Sequence, residues 1–98
     1  MKTDEFFKLV DYLTRNQYIY EVSIQKDNYQ VTVRNKLGSY VWDATCNPIS
    51  YGHKDGLLEI AGRIVESTTD GVEGYLTADD IISRLEKLGD KYGCCKEG

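Results

Sequence analysis

The one histidine in the chain, His53, lies beside Ser50, Tyr51 and Asp55. An imidazole titrates near neutral pH and can take a proton from a hydroxyl and hand it to a leaving group. Hydroxyl, imidazole and carboxylate are therefore the raw material of hydrolysis. That chemistry also needs a base oriented by a third group, and no nucleophile-elbow glycine motif accompanies these residues. A small hydrolase or metal-dependent enzyme using His53 stands as one alternative, with no catalytic residue assigned. Cys94 and Cys95 form a vicinal pair near the C-terminus, where soft metals or oxidants act on thiols. A structural zinc site wants four ligands at spacings such as C-x₂-C, and only Cys46 and His53 remain to help. Exposed tail thiols are expected there, and neither a metal site nor a cofactor is predicted.

Residues 69–80 carry a second pattern. Counted as a twelve-residue calcium loop, they place Gly74 at the sharp turn, Leu76 at the apolar position, Thr77 at nine and Asp80 at twelve, and so resemble an EF-hand. The resemblance fails at the donors, because Thr69 and Gly71 occupy positions one and three. Only Glu73 and Asp80 bring carboxylates to ligand positions. A glycine turn followed by a capped helix explains the same residues without metal. The pairs Asp4-Glu5 and Asp79-Asp80 suit helix N-termini, where they oppose the dipole, rather than acid/base dyads. Neither G-x-x-x-x-G-K-[ST] nor G-x-G-x-x-G occurs, so nucleotide binding by those routes is unsupported.

The elements that must position these groups follow from periodicity. Thr3, Asp4 and Glu5 open a helix, and Phe6, Leu9, Val10 and Leu13 line one of its faces, which predicts a helix over residues 4–15 with Asn16 at its end. From Tyr18 the period changes to two. Tyr20, Val22 and Ile24 form one strand face and Tyr29, Val31 and Val33 another, joined by a turn at Asp27-Asn28 that pairs Ile24 with Val31 and Val22 with Val33. A third strand puts Tyr40, Trp42, Ala44 and Cys46 on the apolar face and ends at Asn47-Pro48. Leu57, Ile60, Ala61, Ile64 and Val65 keep helical spacing and predict a second helix, although Leu58, Ile60 and Ile64 also fit a strand with Gly62 at a bulge. Residues 67–74 read as a loop. Thr77 and Asp80 form a capping-box pattern before Ile81, Ile82, Leu85 and Leu88, with Gly89 as the stop. The expected fold class is α+β: an N-terminal helix, a three-stranded antiparallel meander, and two C-terminal helices packed on one sheet face. One domain is expected over residues 1–89, with a short polar tail over 90–98.

Composition bounds the function. Ninety-eight residues suffice for one core, and 41% hydrophobic with 29% charged residues is ordinary for a globular chain. Twelve basic against sixteen acidic residues give a net charge of −4, which repels phosphates and argues against direct nucleic-acid binding. No apolar run is long enough for a membrane span, the first residues lack a signal-peptide core, and an odd cysteine count suits a reducing compartment, so a cytoplasmic location is expected. Tyrosine is the outlier, with eight residues. Tyr20, Tyr29 and Tyr40 share the parity of the buried face, whereas Tyr51 and Tyr75 are less constrained. With His53 they make a candidate contact patch, since binding residues concentrate on loops.

Three segments carry a family resemblance. Cys46-Asn47-Pro48-Ile49-Ser50-Tyr51-Gly52, Asp55-Gly56-Leu57-Leu58-Glu59 and Gly74-Tyr75-Leu76-Thr77-Ala78-Asp79 resemble small proteins of unknown function carried by phages and prophages of Gram-positive bacteria. The resemblance implies a genomic setting rather than an activity, and it transfers no functional residue. The functional expectation is a non-enzymatic cytosolic accessory protein that acts by binding another protein of unspecified identity or a second copy of itself. A second alternative is an acidic inhibitor that occupies the basic groove of a nucleic-acid-binding host protein or nuclease.

Overall fold

The computed structural model describes residues 2–50, 53–66 and 71–88. In chain order the elements are α1 (Asp4–Arg15), β1 (Ile19–Gln25), β2 (Asn28–Arg34), β3 (Tyr40–Cys46), a single 3-10 turn (His53–Asp55), β4 (Leu58–Gly62), β5 (Val72–Leu76) and α2 (Ala78–Leu88). The strands form one antiparallel sheet in the order β1-β2-β3-β4-β5, so every strand neighbours the next along the chain.

This is α+β, but the expected three-stranded meander with two C-terminal helices is wrong. Residues 58–62 of the stretch read as a second helix form β4, and Val72, Glu73 and Gly74, the last three residues of the stretch read as loop, open β5. Leu58 and Ile60 are buried while Glu59 and Ala61 face outward, which is the period of a strand. Gly56 and Gly62 both take positive φ and bracket too few residues for a stable helix. β5 was hidden because Gly71 and Gly74 look like loop residues. Gly74 instead lies inside the strand, where the register with β4 shifts between Leu58 and Ile60 and Tyr75 adopts φ 61°.

α1 takes its expected span, and Phe6, Leu9 and Leu13 are its buried residues. Thr3 stands at the N-cap position without a side-chain capping bond. At the other end the left-handed residue is Gln17 rather than Asn16. The Gln17 amide donates to Thr14 O and the Tyr18 amide to Leu13 O, the two bonds of a Schellman motif. α2 begins with the reciprocal capping box, in which the Thr77 amide donates to Asp80 Oδ2 at 2.9 Å and the Asp80 amide to Thr77 Oγ1 at 3.1 Å. Glu5 reaches from α1 to accept the Ala78 amide at 2.6 Å, so one helix helps to cap the other.

The β1–β2 hairpin turns at Lys26-Asp27 and pairs Val22 with Val31 and Ile24 with Tyr29. That differs by two residues from the register read in the sequence, and two is the strand period, so the same side chains share a face. β3 carries a larger correction. Val33 pairs with Trp42 and Arg34 with Tyr40, which leaves Val41 as an extra residue. The bulge sends both Val41 and Trp42 inward and turns Tyr40 outward, where its hydroxyl donates to Asp43. One core results. Phe6, Leu9 and Leu13 of α1 and Ala78, Ile81 and Leu85 of α2 join Val31, Val33, Trp42, Ala44, Cys46, Leu58 and Ile60 of the sheet. Burying each large side chain contributes about 1.5–3 kcal/mol.

Candidate interaction site

The residues singled out for chemistry are mostly committed to structure. Ser50 is buried, and its Oγ accepts the Asn47 amide at 3.0 Å and donates to Asn47 O at 2.9 Å, closing the turn after β3. It is not aimed at a base. His53 starts the 3-10 turn, and Tyr51 lies outside the described residues. Tyr75 is 65% exposed and adjoins the Leu58–Leu76 pair, so it stands at the end of the sheet where the 3-10 turn leads into β4. Cys94 and Cys95, with the tail over residues 90–98, lie outside the described residues. Cys46 is fully buried, and burial pushes its thiol above the ordinary range, as for an inert core residue.

The two carboxylates that the calcium-loop spacing offered are engaged elsewhere. Asp80 caps α2. Glu73 receives a bidentate pair from Arg84, with Nη1–Oε1 at 2.8 Å and Nη2–Oε2 at 2.9 Å, and Arg84 also donates to Ile64 O at 3.0 Å. Both side chains are largely covered, 13% exposed for Arg84 and 22% for Glu73. The Arg84 hydrogen bonds hold the Glu73 carboxyl below its usual range. This pair fastens α2 to β5. The adjoining cavity of about 310 Å³, which Glu66, Ser83, Arg84 and Lys87 line in part, has its one guanidinium already satisfied by protein. A strand before α2 in place of a helix also breaks the EF-hand geometry. Among the described residues, no group of three or more His, Cys, Asp or Glu is placed to hold a metal ion.

The feature left unaccounted for is apolar. Phe7, Val22 and Ile24 are 46%, 41% and 47% exposed. They adjoin one another: the Phe7 ring stands edge-on to Tyr29 at 6.0 Å between centroids, Tyr29 pairs with Ile24, and Val31, the next residue on that face of β2, pairs with Val22. Alternation along β1 marks Val22 and Ile24 as core residues, and they do face the helical layer. They stay exposed because β1 is the edge of the sheet and α1 reaches only its start, where the Thr14 and Tyr20 hydroxyls are hydrogen-bonded. Sequence reasoning missed this shelf because a two-residue period reports a face, not the position of a strand within its sheet.

Beside the shelf runs the outer rail of β1. A two-residue turn closed by Gln25 and Asn28 directs the ladder bonds of Ile19, Glu21, Ser23 and Gln25 toward β2, so the amides and carbonyls of Tyr20, Val22 and Ile24 point away from the sheet. Among the described residues, no strand pairs with that rail. Edges are commonly blunted by charged side chains, proline or a bulge; β1 has neither proline nor bulge within its span, and its one charge, Glu21, is ion-paired with Arg34. The opposite edge, β5, is interrupted by its register shift. Comparison with protein-family models, curated proteins and solved structures finds no match for this chain. No described helix is long and apolar enough to cross a membrane.

Proposed function

We propose that this chain is a non-enzymatic interaction protein that binds another polypeptide along the edge of β1, as a small cytoplasmic accessory factor in a phage or prophage setting. The observation that carries the reading is an edge strand without proline or bulge, flanked by the Phe7, Val22 and Ile24 shelf. Strand addition at such an edge draws affinity from main-chain bonds, and alternate side chains provide the selection. The acidic-inhibitor alternative has less support. Phosphate mimicry wants a free acidic stripe, whereas Glu21 pairs with Arg34, Glu73 with Arg84, and Asp79 with Lys8.

The test is affinity capture from a bacterial lysate at low and high salt, with wild type and Val22→Lys as baits. Val22 is exposed, so the replacement leaves the core intact. A partner held at both salt concentrations and lost with Val22→Lys supports the reading. A partner that dissolves with salt and ignores Val22→Lys contradicts it and favours electrostatic binding to a basic surface.

A further inference from the structure

We propose that β1 pairs antiparallel with β1 of a second copy of this chain, about a two-fold axis through Val22, joining two five-stranded sheets into one. The inference deepens the reading above by naming the partner, and it rests on that reading of the β1 edge.

Register selects the second copy. Hydrogen-bonded antiparallel pairs must form between residues whose main-chain groups point outward on both strands, here Tyr20, Val22 and Ile24. Centred on Val22, the strand Ile19–Gln25 pairs over its whole length: Val22 meets Val22, Tyr20 meets Ile24, Glu21 meets Ser23, and Ile19 meets Gln25. The neighbouring registers are worse. Centring on Glu21 sets two carboxylates face to face. Centring on Ser23 sets Tyr20 against the turn residue Lys26, and centring on Ile24 sets Val22 against Lys26 and Glu21 against Asp27. Only the Val22 register keeps apolar side chains together on the helix-side face and leaves no like charges directly opposed. The two Glu21 carboxylates lie diagonally across the axis, each ion-paired with its own Arg34.

The exposed shelf supports the same occupant. Val22 and Ile24 would be covered by the partner's Val22 and Tyr20, which extends each core across the axis. Seven residues of paired strand with this shelf belong to the small end of specific interfaces, below about 1,200 Å², so the dimer should be concentration-dependent. Each copy carries −4, and salt screens the repulsion between them, so association should strengthen as ionic strength rises.

Sedimentation equilibrium from about 10 μM to about 1 mM should show the mass rising from 11.2 kDa toward twice that value. The rise should come at lower concentration in high salt and be lost in Val22→Lys, with circular dichroism showing that the variant is folded. Register is read by oxidative crosslinking in a background with Cys94 and Cys95 changed to serine. Val22→Cys should crosslink, because hydrogen-bonded antiparallel partners hold their Cα atoms about 5.5 Å apart, within disulfide reach. Ser23→Cys should not, since Ser23 faces Glu21 rather than itself. A monomer throughout the range overturns the proposal, as does a dimer indifferent to Val22→Lys or one that crosslinks equally through Ser23→Cys. A monomer that captures a different protein through Val22 overturns self-pairing alone and leaves the proposed function standing.

Discussion

At the scale of single residues, Arg84 decides how α2 meets the sheet. Its guanidinium holds both Glu73 oxygens and the Ile64 carbonyl in a largely covered position. Removing the negative charge should therefore matter: Glu73→Gln is expected to cost about 1–3 kcal/mol near pH 7, measured by denaturant unfolding. The folded-state carboxyl sits below its unfolded value of about 4.3, so its contribution is full above that pH and is lost as pH falls through the depressed folded-state value. The gap between wild type and Glu73→Gln should close over that acidic window, and a gap that stays constant would contradict the ion-pair account. Gly62 is a second pivotal residue. It takes φ 100°, and a Cβ there would meet Val41 O at 2.6 Å and Trp42 Cα at 2.7 Å. Gly62→Ala should destabilise by about 2–3 kcal/mol, read as a lowered unfolding midpoint. Tyr40 shows a limit on reading residues from alternation. One inserted residue, Val41, reverses its face, and burial together with the Asp43 carboxylate then holds its phenol above the ordinary range.

At the scale of elements, the ends of α1 and α2 show what local sequence encodes. The Thr77–Asp80 box and the apolar stripe of α1 were legible because they depend on neighbours a few residues apart. The stop of α1 was placed one residue early, at Asn16, although Gln17 carries φ 62°. A side chain in that conformation carries a steric penalty that glycine lacks, so Gln17→Gly should stabilise the fold by about 0.5–1 kcal/mol, visible as a raised melting temperature. No change, or a loss, would show that the Gln17 side chain contributes something beyond its backbone geometry. β4 and β5 were not legible for a different reason. Leu57, Ile60, Ala61, Ile64 and Val65 satisfy a helical stripe as well as Leu58 and Ile60 satisfy a strand, and only pairing with β3 and β5 breaks the tie. The hairpin register moved by two residues yet kept its faces, because turn position is set by the φ of Lys26 while the face is set by the apolar pattern.

At the scale of the whole molecule, one helical layer covers one face of a five-stranded sheet, and no described strand pairs with the outer edge of β1. That geometry turned two residues of apparent core, Val22 and Ile24, into a surface, and it moved the candidate site away from the His53 and Tyr75 end of the sheet. The central claim is that the outer rail of β1 is where another chain binds. Residue-resolved amide hydrogen exchange tests it most directly, in dilute protein and again under conditions of association. The Tyr20, Val22 and Ile24 amides should exchange fast when dilute and gain protection on association, while the Glu21 and Ser23 amides, already bonded to β2, should change little. Protection that appears on another surface while those three amides remain fast would contradict the account.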